Sequence, residues 1–86
     1  MTGELMKILF FGRLGERLGR ELEIDPPADG WTVAELRESL CSRDEIFREM
    51  LEDPGIRGCV DQAIVPEDTH VRPHQEVAFI PPLSGG

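Results

Sequence analysis

Residues Leu83-Ser84-Gly85-Gly86 close the chain, and their types and order suit chemistry better than any other segment. Glycine lacks a Cβ, so Gly85 and Gly86 can adopt extended conformations closed to other residues and can enter a channel too narrow for side chains. The carboxylate of Gly86 is then a group that another protein's active site can reach. A carboxylate resists nucleophiles until one oxygen becomes a leaving group, which adenylation by ATP achieves. Attack by a sulfur donor on the acyl-adenylate leaves a thiocarboxylate, a soft anion able to hand sulfur to an electrophilic carbon. The tether replaces a bimolecular encounter with a positioned one. The plainer alternative is a loose terminus without a role, since chain ends are commonly unordered.

Other constellations offer less. No Ser-His-Asp or Cys-His grouping is suggested by the order of residues. Gly12-Arg13-Leu14-Gly15-Glu16-Arg17-Leu18-Gly19 bears glycines but lacks the Lys-Ser/Thr ending of a phosphate loop and the G-x-G start of a dinucleotide fingerprint. Its glycines read as turn residues. Cys41 and Cys59 are too few for a disulfide framework and read as buried small hydrophobes. Pro73 separates His70 from His74 and disfavours a helix that would put both on one face. No metal site is expected, because neither cysteine is spaced as half of a zinc ligand pair.

At 86 residues the chain makes one small domain with little room for a deep pocket, which weighs against a self-contained enzyme. Hydrophobic residues are 40% and charged residues 30%, a soluble, globular balance. No apolar run approaches the roughly 20 residues of a membrane span, and Met1 to Lys7 lacks a secretory layout, so a cytoplasmic protein is expected. Nine basic residues against seventeen acidic ones give a net charge of -8, which disfavours nucleic acid as a partner. The acidity either complements a basic protein surface or serves solubility alone.

The elements that must position the tail follow from pattern. Met6 to Phe11 is an apolar run ended by Gly12 and predicts a strand. Arg13 to Gly19 reads as a connection with room for one helical turn. Arg20 to Ile24 alternates as a half-exposed strand, and Asp25 to Gly30 is a loop. Thr32 and Glu35 form a capping box that opens a helix over about Val33 to Ser42. Ser42 and Glu45 repeat that pattern before Ile46, Phe47, Met50 and Leu51, which predicts a second short helix ended by Asp53-Pro54-Gly55. Cys59 to Val65 is a strand candidate, interrupted at Pro66 to Thr69 and continued by His70 to Arg72. Glu76 to Ile80 is the last strand, stopped by Pro81-Pro82. This order fits an α+β, β-grasp (ubiquitin-like) arrangement: a mixed sheet with a helix packed across one face, the last strand lying beside the first at its centre. Residues 1–82 form the domain and residues 83–86 a flexible tail.

Lys7-Ile8-Leu9-Phe10-Phe11-Gly12, Thr32-Val33-Ala34-Glu35-Leu36-Arg37 and above all Glu76-Val77-Ala78-Phe79-Ile80-Pro81-Pro82-Leu83-Ser84-Gly85-Gly86 resemble the small subunits of molybdopterin synthases, the MoaD-type sulfur carriers of the MoaD/ThiS family. The resemblance runs from about Met6 to Gly86. It implies a large synthase subunit that receives the tail, a ubiquitin-activating-type adenylyltransferase that charges Gly86 with ATP, and a sulfur donor system. Thiocarboxylated Gly86 would give sulfur to cyclic pyranopterin monophosphate in molybdenum cofactor biosynthesis. Two charged carriers would serve each dithiolene, and the remaining catalytic residues would belong to the large subunit. No cofactor is expected to stay bound to this chain. The same tail would equally serve thiazole, cysteine or tRNA thiolation, or a ubiquitin-like modifier joined to lysines through Gly86; a stand-alone enzyme is the most distant alternative.

The strands carry an expectation for the partner surface. Ile8 and Phe10 share one face while Leu9 and Phe11 take the other; Val77 and Phe79 likewise oppose Ala78 and Ile80. Only one face can lie under a helix, so the other should meet a partner, unless Trp31 or the 53–57 loop covers it. By resemblance Phe11, Ile64 and Ile80 are the hydrophobic contacts, and Pro81 and Pro82 at the root of the tail are expected to bind the partner with them. Val60-Asp61-Gln62 stands where the family often has Val-Asn-Gln, which places an extra negative charge near that surface.

Overall fold

The structure is a computed structural model and describes residues 5–82. The chain runs β1 (Met6–Phe10), α1 (Arg13–Leu18), β2 (Glu21–Ile24), β3 (Trp31–Thr32), α2 (Val33–Arg43), α3 (Glu45–Leu51), β4 (Arg57–Val60), β5 (Ala63–Val65), β6 (His70–Val71) and β7 (Val77–Ile80). Five strands form a mixed sheet in the order β2-β1-β7-β4-β5, and β3 with β6 makes a separate two-stranded ladder. β7 lies parallel to β1, through Ile8 beside Val77 and Phe10 beside Phe79. The other pairings in the large sheet are antiparallel. This is the expected β-grasp, with the first and last strands adjacent inside the sheet.

The periodicities explain the layers. Met6, Ile8 and Phe10 of β1 and Val77 and Phe79 of β7 turn to the covered face and are fully or almost fully buried. α2 crosses that face because Val33, Leu36 and Leu40 recur at helical spacing and all three are buried. Phe10 anchors the core, stacking on Phe79 with centroids 6.2 Å apart and meeting the Phe47 ring of α3 at 5.9 Å. Burying such side chains is worth about 1.5–3 kcal/mol each, so this layer carries much of the stability.

The capping box opens α2 as expected: the Glu35 N–H donates to Thr32 Oγ1 at 3.1 Å and the Thr32 N–H to Glu35 Oε1 at 2.9 Å. Four other expectations are corrected. Arg13–Leu18 is a helix of six residues rather than a connection, because burial of Leu14 rewards the turn. The cap of α3 is Asp44, whose carboxylate accepts from the Ile46 N–H at 3.1 Å, while Ser42 remains inside α2. Cys59 to Val65 is not one strand but a hairpin of β4 and β5 turning at Asp61-Gln62. Finally, His70-Val71 does not rejoin the large sheet; it pairs with Trp31-Thr32, and the Val33 N–H donates to the Thr69 carbonyl at 3.0 Å beside it.

Candidate functional site: the open sheet face and the root of the tail

Strand alternation sends every second side chain to the face that α2 does not cover. Register then sets a row across all five strands: Glu21, Leu9, Ala78, Cys59 and Ile64. Arg57 opposes Ile80 in the next row. Phe11 lies just past β1 and is tied to the sheet by its N–H, which donates to the Phe79 carbonyl at 3.1 Å.

Phe11 is 48% exposed and Ile64 57% exposed, against 2% or less for Phe10 and Phe79 on the opposite face. Ile80, Pro81, Pro82 and Leu9 are half-buried. Trp31 packs against the helix-side core instead, so it does not cover this face. The surface expected from Phe11, Ile64 and Ile80 is therefore open.

Small side chains give the face its relief, a feature the sequence reading missed. Cys59 and Ala78 sit low, and with Phe11, Gln62 and Glu76 they line a hollow of about 160 Å³. The strand parity of β4, once its true start was known, is the signal that would have put Cys59 there. Burial pushes the thiols of both Cys59 and Cys41 up from the ordinary range, which keeps them protonated and unreactive near neutrality.

The charges around this face are organised. Glu21 and Lys7 approach at 3.8 Å on the β2 side, both half-exposed, a pair of small energetic value. On the β4–β5 side, Asp61 and Gln62 have φ of 49° and 74°. Two positive φ values are what a tight two-residue hairpin demands, and Asp tolerates that region better than most residues. The Asp61 carboxylate accepts from Gln75 Nε2 at 2.9 Å and from the Glu76 N–H at 3.3 Å. Its charge is thus engaged in holding the turn against the segment entering β7.

β7 delivers Pro81 and Pro82 to the edge of this face. Leu83, Ser84, Gly85 and Gly86, the residues expected to carry the chemistry, lie outside the described residues. What is described is the root: the central strand ends beside Phe11, and its last residue pairs with Arg57.

A central parallel pair and a helix crossing one face of the mixed sheet define a ubiquitin-like β-grasp fold. The ThiS family model matches residues 8–86, and the chain belongs to that family. It is 33% identical over 82 residues to the molybdopterin synthase sulfur carrier subunit of Escherichia coli, a match covering 95% of this chain and all of that protein. Among solved structures, small archaeal modifier protein 1 of Haloferax volcanii superposes with a TM-score of 0.75 at 20% identity, covering 94% of this chain and 100% of that one. Subunits 1 and 2 of the molybdopterin-converting factor of Helicobacter pylori form a complex whose matching chain has a TM-score of 0.66 at 20% identity, with 95% and 99% coverage. These structural likenesses establish the fold.

Proposed function

We propose that this chain is the sulfur-carrier subunit of a molybdopterin synthase and acts through the carboxylate of Gly86. The observation that carries the reading is the match to the E. coli sulfur carrier subunit over that protein's whole length. The open apolar face with Phe11 and Ile64 at its surface supports it, because exposed apolar area of this kind marks a surface that docks on another protein. The partner is a large synthase subunit, with Phe11, Ile64 and Ile80 as the contacts. No helix among the described residues is long and apolar enough to cross a membrane. The proposed compartment is the cytoplasm, where the carrier reading puts its partners.

The chemistry proceeds in three transfers. A Gly86 carboxylate oxygen attacks the α-phosphorus of ATP on an adenylyltransferase, and pyrophosphate leaves. A sulfur nucleophile from the donor system attacks the acyl carbon, and AMP leaves with the bonding pair. The thiocarboxylate sulfur then attacks an electrophilic carbon of cyclic pyranopterin monophosphate, and the C–O bond at that carbon breaks with its electron pair leaving on oxygen. Hydrolysis of the new thioester returns the Gly86 carboxylate and leaves the sulfur on the pterin as a thiolate. The contribution of this chain is placement: a rigid sheet brings the tethered nucleophile to its target as an effectively unimolecular reactant.

Incubation with an activating enzyme, ATP and a sulfur donor should replace one Gly86 oxygen by sulfur, read by intact mass. An unchanged mass with a competent enzyme overturns the proposal. One residue added after Gly86 should abolish charging while folding is retained. Addition of a large subunit and the pterin precursor should then yield dithiolene. Charging without dithiolene, or conjugates to lysine, would assign the tail to another thiolation pathway or to a modifier.

A further inference from the structure

The root of the tail passes two glycines on different elements. A Cβ built on Gly12, in the turn after β1, would lie 3.1 Å from Pro81 Cγ. A Cβ built on Gly55, in the turn before β4, would lie 3.3 Å from Pro82 Cγ and 3.4 Å from Pro82 Cβ. Gly12 has φ 60° and ψ -140°, a backbone that itself favours glycine. Gly55 has no such need: its φ lies outside the left-handed region. The tight contacts of an alanine there are with Pro82 and with the Asp53 carboxylate at 3.3 Å.

The Gly55 turn is also braced. The Asp53 carboxylate accepts from the Gly55 N–H at 2.8 Å, and the Ile56 N–H donates to the Asp53 carbonyl at 3.0 Å. Arg37 donates to the Leu51 carbonyl at 2.6 Å and the Ile56 carbonyl at 2.7 Å, so one guanidinium holds both ends of the turn. Glu67 accepts from the same guanidinium at 3.1 and 2.9 Å and fixes its plane. The turn is a rigid surface, and proline on it has a fixed φ.

We propose that Gly12 and Gly55 form a two-sided seat for Pro81-Pro82 that sets the direction in which the tail leaves the domain, making Gly55 a positioning residue for the Gly86 chemistry. The inference rests on the carrier reading above. Four residues beyond Pro82 reach at most roughly 14 Å. On so short a tether, the position and angle of the root decide which volume the terminal carboxylate samples. Misplacement of a reacting group by about 1 Å can cost up to about a hundredfold in rate.

The test compares Gly55→Ala, Gly55→Val, Pro82→Ala and the Gly55→Val/Pro82→Ala double variant in the full chain. Expected is a graded loss in the rate of Gly86 charging, reaching about tenfold for Gly55→Val. The two Gly55 variants should keep the wild-type fold and the wild-type affinity for the large subunit. The double variant should charge no more slowly than Pro82→Ala alone, because the Cγ that crowds the new side chain is gone and the Cβ that remains, at 3.4 Å, is at ordinary contact distance. Wild-type charging in Gly55→Val, or losses that multiply in the double variant, overturns the seat. Failure of the wild-type chain to charge overturns the carrier reading instead. The seat is then judged by residual dipolar couplings of the Leu83 and Ser84 amides: these should change in Gly55→Val while those of β7 hold, and unchanged couplings overturn it.

Discussion

The two faces of one sheet draw on the same strands and similar side chains, yet they have opposite fates. Phe10 is buried and Phe11, its neighbour in sequence, is half-exposed. On β7, Phe79 is inaccessible while Ile80 is half-buried. Alternation puts them on opposite sides, and α2 covers only one. The covered face is where apolar area was removed from water during folding; the open face still holds such area for an association step. The difference teaches that hydrophobicity along a strand does not report stability. The layer that packs on it does.

The sharpest way to break that comparison is to truncate one aromatic on each face. Phe79→Ala should cost about 3–5 kcal/mol in urea unfolding, since it deletes a buried ring stacked on Phe10 and lying 5.3 Å from the Arg37 guanidinium carbon. That is a large share of the stability of any small domain. Phe11→Ala should cost under about 1 kcal/mol, as surface changes usually do. Equal losses would mean that the open face is a second core. Binding should invert the ranking. Phe11→Asp, Ile64→Asp or Ile80→Asp should each weaken large-subunit binding by more than about 1 kcal/mol with the fold intact, as buried interface anchors do. Calorimetric titration with unchanged affinity would remove that residue from the contact surface.

Much of this was legible from the chain because local and global preferences agree. The runs at Met6 to Phe10 and Val77 to Ile80 are apolar but for Lys7, which marks central strands whatever covers them. The Thr32 and Glu35 pair announces α2 through purely local hydrogen bonds. The Asp61-Gln62 hairpin was not legible, because it lacks the glycine that usually betrays positive φ, and its support comes from Gln75 and Glu76, fourteen and fifteen residues away. The two-residue ladder of β3 and β6 is too short for any periodicity. Ile64 was singled out by resemblance alone, while the positions of Phe11 and Ile80 on the open face followed from parity. The hollow floored by Cys59 and Ala78 did not, since small residues carry little hydropathic signal.

Smaller effects sharpen the covered side. Thr32→Ala removes the oxygen that accepts from the Glu35 N–H and should cost about 1 kcal/mol by chemical denaturation. Because this cap serves the helix and not the open face, large-subunit affinity should stay the same. A loss of affinity would show that α2 placement reaches through the sheet to the docking surface.

The two cysteines place one reporter on each side. Cys41 belongs to the helix-side core, whereas Cys59 is sheltered on the open face among Phe11, Gln62, Glu76 and Ala78. Burial raises both thiols above the ordinary range of a free thiol. Burial favours the neutral form in the folded chain, so the stabilising contribution is complete below the unfolded-state pKa and is lost as pH climbs toward the higher folded one. Stability should therefore fall as pH rises above the unfolded-state value of about 8.5, and the fall should shrink when both cysteines are replaced by serine. The faces separate under a thiol reagent at pH 8. Phe11→Ala removes one wall of the Cys59 hollow and should speed modification of that thiol several-fold, while Cys41 keeps its wild-type rate. Equal acceleration of both would mean that Phe11 supports the whole domain, and no acceleration would mean that Cys59 is sheltered by the sheet itself rather than by the docking surface above it.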